Sequence, residues 1–201
     1  MLLILGAGGH ARPVIEALRA TGLEPAGLLD DAASGELLGV KVLGPIGSLA
    51  ARRAPGLTAV IAIGDNATRA RLGEMCRALD IALPAVIHPA ALISPSARIA
   101  EGVQVMARAV IGPEATVGPL ALVNTGVIVE HDCAVGDAAH LGPGVVLCGG
   151  VRVGARVLLG AGVVARPGIA IGDDAVVAPG AALAADVPAG ARMGGVPARS
   201  F

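Results

Sequence analysis

Residues 111–147 read IGPEATVGPLALVNTGVIVEHDCAVGDAAHLGPGVVL. Ile111, Val117, Val123, Val129, Val135, Leu141 and Leu147 recur at every sixth position, and each is aliphatic. Ala115, Ala121, Val127, Cys133, Ala139 and Val145 make a second column with the same period. Followed outward, the first column runs from Ile93 to Leu183 with Val, Ile or Leu at fifteen of sixteen positions. The second runs from Ala97 to Val187 and is small or branched and apolar at all sixteen. A hexapeptide period held this long is the signature of a parallel β-helix. Each hexad forms one side, three sides close a coil of about 18 residues, and coils stack at the inter-strand spacing of roughly 4.8 Å. The large aliphatics form ladders inside and the small residues fill the corners. No hexad carries an inserted loop, so the sides are smooth. A smooth apolar prism buries its sides against copies of itself, and a closed ring of three suits a triangular cross-section.

Upstream, residues 1–88 alternate strand and helix, which implies a parallel sheet. Leu2–Leu5 is a buried strand, Gly6-Ala7-Gly8-Gly9-His10-Ala11 a turn, and a helix follows with Pro13 near its first position. A second strand ends at Leu28-Leu29-Asp30-Asp31. Residues 32–44 read as a loop or edge strand and Pro45–Arg53 as a short helix. A third strand, Ala59–Ile63, closes on Gly64-Asp65-Asn66 and is followed by a helix over Ala67–Leu79. The expected organisation is an α/β domain with a small Rossmann-like parallel sheet over 1–88, then an all-β parallel β-helix with a C-terminal cap over 89–201.

Composition narrows the function. The chain has 201 residues, 54% of them hydrophobic, yet Phe201 is its one aromatic. Charged residues make up 15%, against about 25% in an average globular chain. A net charge of −1 without Trp or Tyr argues against a nucleic-acid partner. No charge-free apolar run reaches the length of about 18 residues that a membrane span needs. Met1–Leu5 lacks the basic start of a signal peptide. Cys76, Cys133 and Cys148 are an odd count without a paired motif, which fits a reduced cytoplasm. Cys133 lies on the inward ladder, and it and Cys148 read as packing residues rather than nucleophiles.

Gly6, Gly8 and Ala11 match G-x-G-x-x-G/A between strand and helix, with Asp30 about 20 residues further on. Backbone N–H groups and a helix N-terminus at such a turn can hold a diphosphate. About 85 residues leave room for one mononucleotide half, which suits a nucleotide-sugar better than NAD. Asp30 or Asp31 would accept bonds from base or ribose, with His10, Gly64 and Asn66 at the same strand ends. With no aromatic in this half, the base would be held by hydrogen bonds and aliphatic contacts. His131 stands at an outward position of its hexad between Glu130 and Asp132. An imidazole titrates near neutrality and can take a proton from an attacking amine or hydroxyl, and a carboxylate beside it can orient the ring.

The hexads, the NTGVIVEHDC stretch over 124–133, the Gly-rich turn and the VPAG…GGVPAR tail together resemble the hexapeptide-repeat sugar O-/N-acetyltransferases. These act on nucleotide-linked 4-amino-sugars or sialic acid, and the likeness spans nearly the whole chain. It implies a left-handed coil, a homotrimer with active sites between neighbouring subunits, and acetyl-CoA as donor, with no metal. His131 matches the family's catalytic base, with Asp132 as its acidic partner and Glu130 as the rival. His140 matches a histidine that helps hold the acetyl group, with the added catalytic role of donating to the thioester oxygen as negative charge develops. Asn124, His140, Gly142, Gly149, Ala161, Arg166, Gly195 and Pro197 are the expected acetyl-CoA contacts. Gly194 belongs to the same tail, and Arg192 and Arg199 join Arg166 as candidates for the phosphates. Gly6, Gly8, Gly9, His10, Asp30, Asp31, Gly64 and Asn66 are the expected acceptor contacts.

The resulting expectation is transfer of acetyl to the 4-amino group of a UDP-linked 4-amino-4,6-dideoxy sugar. A GDP-linked 4-amino sugar ranks second and sialic acid O-acetylation third. Three readings compete. A non-catalytic nucleotide-binding trimer would make the outward histidines incidental. An NAD enzyme would need a second mononucleotide half. A zinc hydratase would need about three ligands, and the β-helix holds two histidines nine residues apart.

Overall fold

The computed structural model describes residues 1–200. Three parallel strands form the N-terminal sheet in the order β2 (Gly27–Leu29), β1 (Leu2–Leu5), β5 (Thr58–Ile61). Between β2 and β5, the segment expected as loop or edge strand is a tight antiparallel hairpin, β3 (Glu36–Leu37) and β4 (Val40–Lys41), followed by a 3-10 turn over Ile46–Arg52. Helix α1 (Ala11–Ala20) lays Val14, Ile15 and Leu18 on the face of the sheet that carries Ile4 and Val60. Pro13 is the third residue of α1 rather than the first. It is tolerated there because first-turn N–H groups have no acceptor within the helix. Helix α2 (Asn66–Ala78) lays Leu72 and Cys76 on the opposite face, against Leu3 and Leu5. The side chain of Asp65 accepts from Thr68 N and caps α2. A central strand covered on both faces explains why Leu3, Ile4 and Leu5 are all fully buried.

The coils begin at Val86–Ile87, ahead of the expected boundary at residue 89, because this strand (β6) is already paired to Gln104–Val105. The register is 18 residues per coil: Val110 pairs with Ile128, and Ile128 with Val146. Three parallel ladders form the faces of the prism. Both columns read from the sequence point inward and make one continuous core, from Val103 through Cys133 to Val187. Strands Arg192–Gly194 and Arg199–Ser200 fold back antiparallel and cap one ladder. Among the described residues no helix is long and apolar enough to cross a membrane.

The ladder that contains Gln104, Leu122 and His140 faces the N-terminal domain. Met106 and Leu122 join the core under α1, while Leu120 and Ala138 join the core under α2. The two domains therefore share cores on both sides of the small sheet.

Candidate active site

Each corner of the prism is a column of turns stacked 18 residues apart. The corner between the Ile128–Val129 and Ala134–Val135 strands carries Pro113, His131, Gly149 and Pro167 in successive coils. His131 Nδ1 lies 2.8 Å from Asp132 Oδ2. An ionised carboxylate only accepts, so in the neutral ring Nδ1–H donates and Nε2 keeps its lone pair. The hydrogen bond to Asp132, helped by the charges of Asp132 and Glu130, raises the His131 pKa above its ordinary value. Asp132 is thus the carboxylate in contact, and Glu130 acts through its charge. The backbone of Asp132 is left-handed, with φ of 59°, which turns its carboxylate back towards the ring. Gly149 makes space for that ring: a Cβ there would stand 2.5 Å from Nε2.

An apolar groove of about 460 Å³ continues along the same corner, lined by Cys148, Val164, Arg166, Pro167, Ala182, Val196 and Pro197 among others. Val196 is 76% exposed and Val164 43%. The groove runs from the capping turn to Cys148, and the next residue, Gly149, is the one that faces the His131 ring. Cys133 Sγ donates to Cys148 O at 3.2 Å, and burial raises the Cys133 thiol. Its inward, inert reading matches this placement.

His140 is elsewhere. It opens a strand of the ladder facing the N-terminal domain, and its Nε2 is buried without a hydrogen-bond partner. Burial, then the nearby cation of Arg69 and His10, pushes its pKa down to about 4, so the ring is neutral. Asn124, Gly142 and Ala161 fall in turns of a different corner, the one leading into the Ile128 ladder. The expected donor contacts thus do not share one corner: His140 lies on the ladder facing the N-terminal domain, and Gly195 lies in the cap between Arg192–Gly194 and Arg199–Ser200. Gly149, Arg166 and Pro197 accompany His131, whereas Asn124, Gly142 and Ala161 do not.

The strand ends of the N-terminal domain collect the expected acceptor contacts. Gly6 has φ of 103°, and a Cβ there would meet Ile63 Cγ1 at 2.8 Å, so only glycine fits. Gly8 and Gly9 instead face open space. The two acidic residues differ from expectation. Asp30 receives Ala7 N on one oxygen and Ala32 N and Ala33 N on the other. Burial opposes ionisation of Asp30, but these three donors outweigh it and hold the carboxyl below its ordinary value. Asp30 therefore shapes the turn. Asp31 receives Ile46 N on Oδ1 alone, so its other oxygen is available to a ligand. Asn66 donates to Arg156 O and Val157 O and accepts from Arg69, so it bridges the domains. His10 Nε2 lies 2.9 Å from Gln104 Oε1, while Gln104 Nε2 donates to Ile61 O. Burial, with Arg69 adding to it, lowers the His10 pKa against the pull of Gln104. A cleft of about 250 Å³ lies between Gly64–Ala67 and the coil residues Arg156, Leu158, Asp174 and Val176. Arg69, Gln104 and Leu120 are absent from the expected site, although all three are buried at the domain junction beside it. Among the described residues no three His, Cys, Asp or Glu side chains gather to hold a metal ion.

Residues 1–76 match the family described as PglD N-terminal domain. No curated protein matches the sequence. Among solved structures, perosamine N-acetyltransferase from Caulobacter crescentus, in complex with CoA and GDP-perosamine, is 43% identical. The match covers 100% of this chain and 96% of that one, with a TM-score of 0.97. The acetyltransferase domain of PglB from Neisseria gonorrhoeae, in complex with acetyl coenzyme A, is 34% identical over 100% of this chain and 98% of that one, with a TM-score of 0.96. WeeI from Acinetobacter baumannii shares the fold at 24% identity, with a TM-score of 0.91 and coverage of 100% and 99%. The likeness takes in the small α/β domain, the parallel β-helix and the cap alike, and by it the chain belongs to the hexapeptide-repeat sugar acetyltransferases.

Proposed function

We propose that this protein transfers acetyl from acetyl-CoA to the 4-amino group of a GDP-linked amino-sugar, with His131 as general base. The observation that carries the reading is the His131 imidazole, oriented by Asp132 with Nε2 free and facing Gly149, the residue after Cys148 of the apolar groove. The choice of GDP over the UDP-linked sugar ranked first from sequence rests on the 43% identical relative, whose complex holds CoA and GDP-perosamine. Two structures of that relative are histidine-replaced variants, which accords with a histidine at the centre of the reaction.

The pantetheine arm lies along the groove between Val164 and Val196–Pro197, which sets the thioester beside Gly149. As the amine nitrogen bonds to the thioester carbon, His131 Nε2 takes its proton and Asp132 stabilises the imidazolium. The carbonyl electrons move onto oxygen, where a backbone N–H can receive the developing charge. Collapse breaks the C–S bond, and the imidazolium proton neutralises the departing CoA thiolate. No covalent enzyme intermediate is required.

The acceptor's diphosphate fits the Gly8–Gly9 turn, with Asp31 facing the nucleoside. Because the donor contacts at Gly149 and at Asn124 stand on different corners, the complete site needs two copies side by side. The outward ladder between those corners, Leu92, Val110, Ile128, Val146, Val164 and Ala182, is wholly apolar. A ring of three would cover it.

The test is release of CoA thiol from acetyl-CoA with GDP- and UDP-linked 4-amino sugars and sialic acid as acceptors, for wild type and His131→Ala. Turnover with the GDP-linked sugar that falls at least about a hundredfold in the variant is expected. Turnover with the UDP-linked sugar alone would restore the first-ranked acceptor. Turnover untouched by the substitution would discard the base, and nucleotide binding without turnover would favour the non-catalytic trimer.

A further inference from the structure

Arg69, on α2, is fully buried, one of two polar or charged residues of which this holds among the described residues. Its guanidinium reaches both domains. On the N-terminal side it donates to Ile63 O and Gly64 O, each at 3.0 Å, and to Asn66 Oδ1 at 2.8 Å. On the β-helix side it donates to Leu120 O at 2.8 Å, Ala138 O at 2.7 Å and Ala139 O at 3.4 Å. Ala139 directly precedes His140. All six acceptors are neutral, and Asp65, the nearest carboxylate influence, acts only through space. Burying a guanidinium without an ionic partner is expensive. The junction does not need it merely to close, because Leu120 already fills the notch left by Gly73 and Gly102. A Cβ on Gly73 would stand 2.2 Å from Leu120 Cδ1 and one on Gly102 2.5 Å from its Cδ2. A junction packed by shape that also retains a buried cation points to a task for the cation.

We propose that Arg69 is a positioning residue for the acyl transfer: it locks the Gly64–Asn66 loop to the coil of His140 and so fixes where the acceptor sits. The proposal rests on the nucleotide-sugar reading above, since the loop borders the cleft between the domains. Only a planar fork with five donors can hold six acceptors from two domains in one geometry; a lysine offers three donors from one point. The charge has a second consequence. The groups facing His140 are Arg69 from α2 and His10 from the turn after β1, and Arg69 also faces His10. With burial, the cation lowers the pKa of both imidazoles and so favours the neutral rings, which can accept a hydrogen bond from an acceptor hydroxyl or amine.

The experiment uses the full chain as wild type, Arg69→Met, Arg69→Lys and Leu120→Ala. It measures KM for the GDP-linked amino-sugar and for acetyl-CoA, melting temperature, and the imidazole titrations of His140 and His10 by NMR. Arg69→Met is expected to raise the acceptor KM about ten- to a hundredfold, leave the acetyl-CoA KM within about twofold, and move the His140 midpoint up. Arg69→Lys keeps the charge but loses the fork, so it raises the acceptor KM while leaving His140 low. Leu120→Ala lowers the melting temperature without moving the His140 midpoint or the ratio of the two KM values. If Arg69→Met does not fold, the contrast between Arg69→Lys and Leu120→Ala decides. Wild-type acceptor KM in the lysine variant, or the same KM split in Leu120→Ala, would overturn the proposal. Should no acceptor turn over even in wild type, the acceptor reading fails. The His140 titration, with GDP binding by calorimetry, then still decides whether Arg69 acts beyond packing.

Discussion

The imidazole of His131 occupies space that any side chain on Gly149 would claim. A Cβ on Gly149 would stand 2.5 Å from Nε2 and 2.6 Å from Cε1 of that ring. Both are far inside van der Waals contact, and Gly149 is not among the residues with positive φ. Gly149→Ala should therefore leave the coil intact and displace the ring from Asp132. Activity should fall about a hundredfold, the scale for a misplacement near 1 Å, while the melting temperature stays close to wild type. Paired steady-state kinetics and thermal melts would check this. A variant as active as wild type would show that the ring works from another position.

Asp132 both orients His131 and raises its pKa. The general base proposed for His131 must be unprotonated, so activity is expected to fall on the acid side as pH drops through that raised value. Asp132→Asn removes the stabilisation of imidazolium, and the acid limb should move to lower pH. The plateau should also fall, by about a hundredfold, because an amide can stabilise the wrong tautomer and cannot balance the imidazolium charge. The pH profile of kcat/KM for the two proteins is the measurement. An unmoved acid limb would mean that Glu130 or another group sets it.

Much of this architecture is legible in the residues themselves. An inward side chain every six positions cannot be hidden, so Ile93 to Leu183 and Ala97 to Val187 reveal the β-helix. His131 is conspicuous because its corner otherwise carries Pro113, Gly149 and Pro167. The domain junction is harder to read. Arg69 sits on a helix, where an arginine ordinarily faces water, and nothing local marks it as buried. Its one trace is indirect: Leu120 and Ala138 are apolar residues at turn positions, both with positive φ and both buried. Apolar turn residues on a single corner signal a docked partner. Asp30 misleads for the opposite reason. A short carboxylate at a strand end can bind a ligand or its own backbone N–H groups equally well, and spacing does not distinguish the two.

His140 links the junction to pH. Its pKa is pushed down to about 4 in the fold, against about 6.5 for a free histidine. The unfolded chain therefore binds a proton that the native state excludes. The sign is fixed: this contribution to stability is whole above about pH 6.5 and is lost as pH falls towards 4. His131 acts oppositely, its contribution being present at low pH and lost as pH rises through its raised value. Melting temperature should decline between pH 6.5 and 4 in wild type. His140→Gln should flatten that decline, since glutamine cannot take the proton. An unchanged slope would place the acid sensitivity on other groups, with His10 the next to test.

The groove offers the sharpest test of the proposed division between the two substrates. Val196 stands exposed on one wall and Val164 on the other, while the cleft beside Gly64–Asn66 belongs to a different part of the prism. Val196→Asp places a charge where the apolar stem of pantetheine would lie, and desolvating a carboxylate there is unfavourable. Because Val196 is 76% exposed, the fold itself loses little. The KM for acetyl-CoA should rise at least about tenfold, the effect of a lost apolar contact plus an uncompensated charge, with the KM for the nucleotide-sugar nearly constant. Arg69→Met is expected to do the reverse. If both substitutions raised the same KM, donor and acceptor would share one site, and the assignment of groove to donor and cleft to acceptor would have to be abandoned.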